Sequence, residues 1–383
     1  MHHYSAALIS ALRADDPTCE IAYFGPQETD PDVLEEGVVP FTYAIPQALG
    51  LAALPRLARL PWTAYRIARD IKGWKPDVLH VSSGHVLYPL ILGSLASRVP
   101  IVSTLHEVDE HLGEQQFYRT IKVRSLLRNS RAFVVHGQKQ KARIQEVWGV
   151  PRDHIWLIPL PRLDCLTHYQ AHVAQVPYRL LFFGRIYAYK GYDTMLRALP
   201  LVAQSFPEVE LVIAGEGDLS PWQALIEKAG CHVNVINRFI PDREVLALFR
   251  SSVLAVAPYH EASQSGIVSV AMSAGVPVVA SKVGTIPEMI TDRVTGRLVP
   301  RADVPALAEA IIDMLAHPKE TERLGETLRK DGEERFSAKL IGAQLHTVYD
   351  AVAGNRETGP SREGSRAARG SRPGNLSTES CRH

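Results

Sequence analysis

Cysteine is scarce in this sequence: Cys19, Cys165, Cys231 and Cys381 are scattered through 383 residues, with no C-x-x-C pair and no metal-ligand spacing. That pattern argues against a disulfide framework or a zinc ribbon and reads as free thiols in a reducing compartment. Excess charge is also lacking, since 42 Lys and Arg against 41 Asp and Glu leave a net charge of +1. Nothing global therefore points to nucleic acid as a partner. No stretch reaches the ~18 apolar residues of a membrane span. The opening MHHYSAALISALRADD lacks the basic region, apolar core and cleavage site of a secretory leader and reads as an amphipathic helix. The expectation is a cytoplasmic protein.

What the sequence does contain is a globular balance, 46% hydrophobic and 22% charged, over a length that favours two domains. Short β-rich runs alternate with helical patterns of ten or more residues, which predicts βαβ units and parallel sheets. In the first half the strands are 19–25, 78–83, 100–106, 132–137 and 155–160, with helical character over 51–71, 88–97, 117–128 and 139–148. Residues 161–177 carry no periodicity and mark a join. The pattern restarts at 178–184 and continues through strands 209–215, 232–237, 253–258, 277–281 and 296–300 to helices 304–316, 318–334 and 338–353. The expected units are an N-terminal domain over 1–165, a second domain over 176–335 and a bracing helix over 336–353. The Gly-, Ser-, Pro- and Arg-rich tail 354–383 is expected to be disordered, because it has almost no aliphatic surface to bury.

A doubly wound domain normally opens with a strand before its first helix. Here a helix begins at or near Met1. Either the domain lacks its first strand or the authentic start lies upstream. The second reading is favoured, because losing a central strand would expose two unpaired neighbours.

Two segments carry candidate chemistry. In LLFFGRIYAYKGYDTMLRAL a buried strand ends at Gly184, and the following loop presents Arg185 and Lys190 ahead of a helix. Ligands of open α/β sheets bind beyond the carboxyl ends of strands. There an Arg fork and a movable Lys charge suit a diphosphate. Alone, the loop also fits two ordinary solvated cations. The second segment, APYHEASQSGIVSVAMSAGVPVVAS, runs from strand through a small-residue turn into a helix. Ser263, Gln264, Ser265 and Gly266 sit where backbone N–H groups at a helix start would face an anion. A plain Ser N-cap is the simpler reading of that turn by itself. Two such sites on strand ends of one sheet together point to phosphate binding.

The order G-R-x(4)-K-G, A-G-x-G, polar turn and helix, A-x-x-x-G-x-P-V-V-A, then G-x-x-P-E over 178–316 resembles the donor-binding domain of GT-B glycosyltransferases, family four in particular. The resemblance implies two Rossmann-like doubly wound domains, the N-terminal one here with its first strand apparently missing from the sequence, and a retaining, metal-independent transfer from a nucleoside-diphosphate sugar. That sugar nucleotide, of UDP or GDP, is a substrate, so no cofactor and no metal site is expected. The resemblance gives Arg185 and Lys190 the leaving diphosphate, with Gly184, Ser263, Gln264, Ser265 and Gly266 around it. It puts Gly215, Glu216 and Gly217 near base and ribose, and Gly284 and Glu288 at the flank of the donor pocket. His106, in TLHEVDEH, stands where the family has a strand-end His close to the donor sugar. A structural His bonded to a loop carbonyl is the alternative, and His85 and His111 are weaker candidates. The family's two glutamates seven residues apart are replaced by Ala262 and Val270. Glu261 can stand in for the first, and no acid stands in for the second.

The acceptor is unnamed by these motifs: a glycan, a lipid or a small molecule. The segment 51–75 interleaves Arg56, Arg59, Arg66, Arg69 and Lys72 with leucines, Trp62, Tyr65 and Trp74. It fits peripheral contact with an anionic inner membrane face, and equally a surface helix with its apolar side inward. Rival functions are an epimerase on the same scaffold, short of the carboxylates it needs, and a non-catalytic sugar-nucleotide-binding or partner protein of the same fold.

Overall fold

Among the described residues every strand pairing is parallel, as strands joined by helical crossovers must be. The computed structural model describes residues 2–26, 37–43, 59–82, 88–106, 116–169, 173–262 and 264–354. The tail beyond Gly354, residues 51–58, Ser263, His85, Glu107, Asp109 and His111 lie outside them.

The first half runs α1 (His2–Asp15), β1 (Ala22–Pro26), β2 (Val39–Tyr43), α2 (Leu60–Trp74), β3 (Leu79–Val81) and α3 (Tyr88–Leu95). It continues with β4 (Ile101–Thr104), α4 (Gln116–Asn129), β5 (Ala132–Val135), α5 (Gln138–Trp148) and β6 (Ile155–Leu157). Its strands form two separate parallel sheets, β1-β2 and β3-β4-β5-β6. Strand β2 was not anticipated, because Pro40 lies inside it. A proline cannot donate to a ladder, and β2 tolerates it by pairing on one side only, with β1. Pro61 falls in the first turn of α2, where the missing N–H is no loss.

The second half runs β7 (Arg179–Phe183), α6 (Tyr192–Ser205), β8 (Glu210–Ala214), α7 (Gln223–Glu227), β9 (His232–Ile236) and α8 (Asp242–Arg250). Then come β10 (Leu254–Ala257), α9 (Gly266–Ala274), β11 (Val278–Ser281), α10 (Ile286–Met289), β12 (Arg297–Val299), α11 (Val304–Ala316), α12 (Pro318–Arg335) and α13 (Ala338–Gly354). The six-stranded sheet has the order β12-β11-β10-β7-β8-β9. Counted within the domain this is 3-2-1-4-5-6, the dinucleotide-binding order, with its switch point between β7 and β10. Central strands β7, β10 and β11 are buried and mostly apolar rather than alternating, because helices cover both faces. Leu163 and Leu166, in the aperiodic join, are buried in this second core.

The last helix leaves the second domain and packs on the first. Ile341, Leu345, Val348 and Val352 of α13 share a core with Leu8, Ala11 and Leu12 of α1 and with Val102 and Val134 of the sheet. At Gly342 the two helices approach so closely that a β-carbon would press on the Ala11 carbonyl. His346 Nδ1 meets the Asp15 carboxylate at 2.6 Å and ties the same pair of helices. Gly342→Val is therefore expected to destabilise the protein by about 1–3 kcal/mol through overpacking. Thermal unfolding checks this, and an unchanged midpoint would contradict the close approach.

Candidate functional site

The switch point between β7 and β10 is lined by the loops that leave those strands. The β7 loop turns at Gly184, whose φ of +105° is a conformation that side chains rarely adopt. A β-carbon there would also stand 2.5 Å from Lys190 Nζ. This loop is fixed to its neighbour after β8: Gly184 N–H donates to the Ala214 carbonyl at 2.8 Å, and Ile186 N–H to the Glu216 carbonyl at 2.8 Å. The Gly217 peptide is held in turn by Asn237 at the end of β9, which donates to its carbonyl at 2.9 Å and accepts its N–H at 3.1 Å. On the other side, His260 N–H after β10 donates to the Tyr189 carbonyl at 2.7 Å. Three successive strand-end loops therefore form one hydrogen-bonded rim.

Two cations stand on that rim in different environments. Arg185 is exposed, with its guanidinium 5.1 Å from the centroid of the Tyr187 ring. Lys190 is 9% exposed, with Nζ 5.6 Å from the Tyr259 ring centroid. Burial, with Arg185 adding repulsion, pushes its ammonium down to about 7. No carboxylate pairs with Lys190 among the described residues.

Beyond the β10 loop α9 begins, with Ser265 as its N-cap in extended conformation. Its side chain makes no capping bond to the helix and lies within reach of the Tyr259 hydroxyl. The first N–H groups of the helix have no intrahelical acceptor and carry the positive end of its dipole. Gln264 Oε1 is buried and unpartnered. The site thus combines one exposed guanidinium, one desolvated ammonium and a helix start with spare donors. It is arranged for a bound anion with several oxygens.

Gln264 also reaches the first domain, where its amide N–H donates to His106 Nδ1 at 2.9 Å. The other His106 nitrogen donates to the Ser82 carbonyl at 2.8 Å. Burial holds the imidazole below its ordinary range, so it is neutral, and both nitrogens are engaged. For His106 to meet a ligand, Gln264 must let go. Behind it, Gln140 donates to the His106 carbonyl at 2.7 Å and accepts the His136 N–H at 2.8 Å. Nothing in the periodicity pointed to Gln140 or Asn237. Asn237 could have been noticed as the polar residue closing a strand.

Glu216 and Glu261 lie on the same rim, their backbone groups bonded to the β7 loop. The Glu261 carboxylate faces Arg301 at 3.9 Å. Glu288, in α10, accepts the Gln138 N–H at 3.1 and 3.3 Å and so caps the start of α5 across the domain boundary. Glu216 is exposed at the end of β8, and Ser263 lies outside the described residues.

Comparison with known proteins agrees with this geometry. Residues 177–317 match the model of glycosyl transferases group 1, and residues 2–161 match that of glycosyltransferase family 4. A glycogen synthase of Mycobacterium tuberculosis is 29% identical over 301 residues, 76% of this chain and 72% of that protein. A phosphatidyl-myo-inositol mannosyltransferase of M. tuberculosis is 34% identical over 182 residues, about half of each protein (46% and 48%). Sucrose-phosphate synthase from Thermosynechococcus elongatus shares the fold with a TM-score of 0.69 at 21% identity, over 92% of this chain and 93% of that one. Anabaena HepE, solved with UDP and glucose, gives 0.65 at 17% identity, over 91% and 96%.

The Lys190 environment has a measurable consequence. The folded ammonium titrates near 7 and the unfolded one near 10.5. The unfolded state therefore binds more protons between those values, and stability rises with pH across that window. The burial penalty is largest below pH 7, on the order of 3–5 kcal/mol. Lys190→Met is expected to raise the unfolding midpoint of the ligand-free protein at pH 6, with the gain shrinking toward pH 10. An equal gain at both pH values would show that Lys190 is not charged and buried as described.

Proposed function

The chain belongs to the group 1, family 4 glycosyltransferases, and from that premise we propose that it transfers a sugar from a nucleoside-diphosphate sugar with retention of configuration and without a metal. The observation that carries this reading is the convergence of Arg185, the desolvated Lys190 and the α9 start on the switch point between β7 and β10. UDP or GDP would place its diphosphate there. The solved relative holding UDP and glucose, and the two relatives named for synthase and mannosyltransferase activities, support that donor class.

In the proposed reaction the bond between the anomeric carbon and the β-phosphate oxygen breaks, and its electron pair leaves with the diphosphate. The acceptor hydroxyl forms the new bond on the same face, and its proton passes to the departing phosphate. Charge builds on the diphosphate in the transition state, where pre-aimed donors are worth a few kcal/mol each. Arg185, Lys190 and the α9 amides supply that charge stabilisation in place of a metal. Binding also draws a proton onto Lys190, so affinity for the diphosphate falls as pH rises above 7. Gln264 and His106 close the cleft from its two walls and exclude water from the donor.

Turnover of UDP- and GDP-sugars tests the assignment. Arg185→Ala and Lys190→Ala are each expected to lower kcat by 10²–10³-fold with little change in acceptor affinity. The product anomer should match the donor, and EDTA should leave the rate unchanged. Full activity in Lys190→Ala, an inverted product or loss of activity in EDTA would each remove its part of the proposal.

For the acceptor we extend the reading to a membrane-facing surface on α2. Ala64, Ile67, Ala68 and Ile71 turn inward, which leaves Trp62 (62% exposed) and Tyr65 (58%) stacked on the outer side at 5.5 Å. Arg59, Arg66 and Arg69 are exposed beside them, although Arg69 is bonded to Asp70. Such an aromatic and basic face suits anionic headgroups, and a relative named for phosphatidyl-myo-inositol supports a lipid acceptor. No helix among the described residues is long and apolar enough to cross a membrane. Co-sedimentation with phosphatidylglycerol vesicles at low salt is expected, and a Trp62→Ser/Tyr65→Ser double variant should weaken it about tenfold. Equal pelleting of the variant, or none of the wild type, would refute the contact.

A further inference from the structure

Arg185 and Lys190 repel each other, yet the rim holds both in one place. No carboxylate pairs with either among the described residues. What lies between them is aromatic. The Arg185 guanidinium stands 5.1 Å from the centroid of the Tyr187 ring, and its Nη1 donates to the Tyr187 hydroxyl at 3.3 Å. Tyr187 stacks on Tyr189, with centroids 5.8 Å apart and planes inclined by 21°. Tyr189 in turn meets Tyr259 edge to face at 6.4 Å. The Tyr259 ring is buried, lies 5.6 Å from Lys190 Nζ, and carries a hydroxyl within reach of Ser265 at the start of α9. Three tyrosines therefore run from one cation to the other and on to the helix start.

We propose that this tyrosine stack is the positioning frame of the anion site, and that Tyr187 is the residue that holds the Arg185 guanidinium ready for a diphosphate. This role rests on the reading of the rim as a diphosphate site and adds what spaces its parts. Backbone bonds fix the stack at several points. Tyr187 is extended, between Ile186, whose N–H is bonded to the Glu216 carbonyl, and the single turn Ala188–Lys190. That turn closes with the Lys190 N–H on the Tyr187 carbonyl at 3.1 Å. The residue beneath the guanidinium is thus also bonded to the backbone of the buried lysine. The Tyr189 carbonyl accepts the His260 N–H, which joins the stack to the β10 loop that carries Tyr259. A ring face attracts a cation through its quadrupole without neutralising it. A carboxylate in the same place would form an ion pair that an incoming diphosphate must break. Tyr187 is 44% exposed, so it restrains a long side chain with many rotamers to lose at a place open to solvent. Arg185 is thereby ordered in part before the ligand arrives, which favours binding.

The test is titration calorimetry of the full chain at low salt with UDP, GDP and inorganic pyrophosphate. The variants are Tyr187→Leu, Tyr187→Phe, Arg185→Ala and the double variant Arg185→Ala/Tyr187→Leu, each with thermal unfolding as the control on folding. Tyr187→Leu removes the ring face and is expected to weaken both nucleotide and pyrophosphate binding about tenfold. Tyr187→Phe keeps the face and should stay within about threefold of the wild type. In the Arg185→Ala background the Leu substitution should weaken binding no further, because the two residues act as one unit. A tyrosine that only supports the fold would weaken binding equally in both backgrounds, and that result overturns the proposal. So does a Tyr187→Leu loss confined to the nucleotides, since the ring would then stack on the base. Wild-type affinity in Tyr187→Leu overturns it as well. Wild-type affinity in Arg185→Ala has a separate meaning: the diphosphate reading of the rim fails, and the frame falls with it.

Discussion

A positive charge buried without a counter-charge is costly, and the second domain is arranged around one. Lys190 Nζ lies beneath the β7 turn, against Gly184 and the Tyr259 ring, with Arg185 repelling it and no carboxylate beside it among the described residues. An ion pair would relieve the strain and leave the lysine inert toward a ligand. Left unpaired, the ammonium is held where an incoming anion gains most from it, since the surrounding rim excludes water. The rim also explains why the charge stays in place. Loops after β7, β8 and β10 are bonded to one another by backbone groups, so the site rests on the sheet rather than on mobile side chains.

This arrangement was only partly legible from the residues. Aliphatic runs and glycine turns located the parallel strands, and the Ser265-Gly266 turn located a helix start to within a residue. Those features depend on neighbours in the chain. The burial of Lys190 depends on Tyr259, and the engagement of His106 on Gln264, 158 positions away. No local pattern encodes such pairs. Glu288 has a partner of the same kind: its carboxylate caps α5 in the other domain, 150 positions away. Strand β2 escaped for a different reason: Pro40 is a sound signal against a central strand and a weak one against an edge.

Among the described residues, polar contacts cross between the domains at the cleft. Gln264 to His106 and Glu288 to Gln138 span the cleft, while Arg335 donates to the Glu288 carbonyl at 2.7 Å and holds the acid toward α5. Contacts of this kind resemble those of interfaces that open and close. Neutral His106 bridges the walls here, accepting from Gln264 at Nδ1 and donating to the Ser82 carbonyl from Nε2. Helix α13 limits the movement differently. It is packed into the first core by Leu345 and Val348, so it tethers the two domains.

Ser82 connects the start of α1 to this cleft. It follows β3, its hydroxyl meets Ser5 in α1, and its carbonyl accepts the His106 imidazole N–H. Whatever steadies β3 also steadies His106 and, through it, the hold of Gln264 on the donor side. The wall of the cleft and the order of the first sheet are thus a single mechanical element. A change that loosens β3 should be felt at the α9 start, although the two belong to different domains.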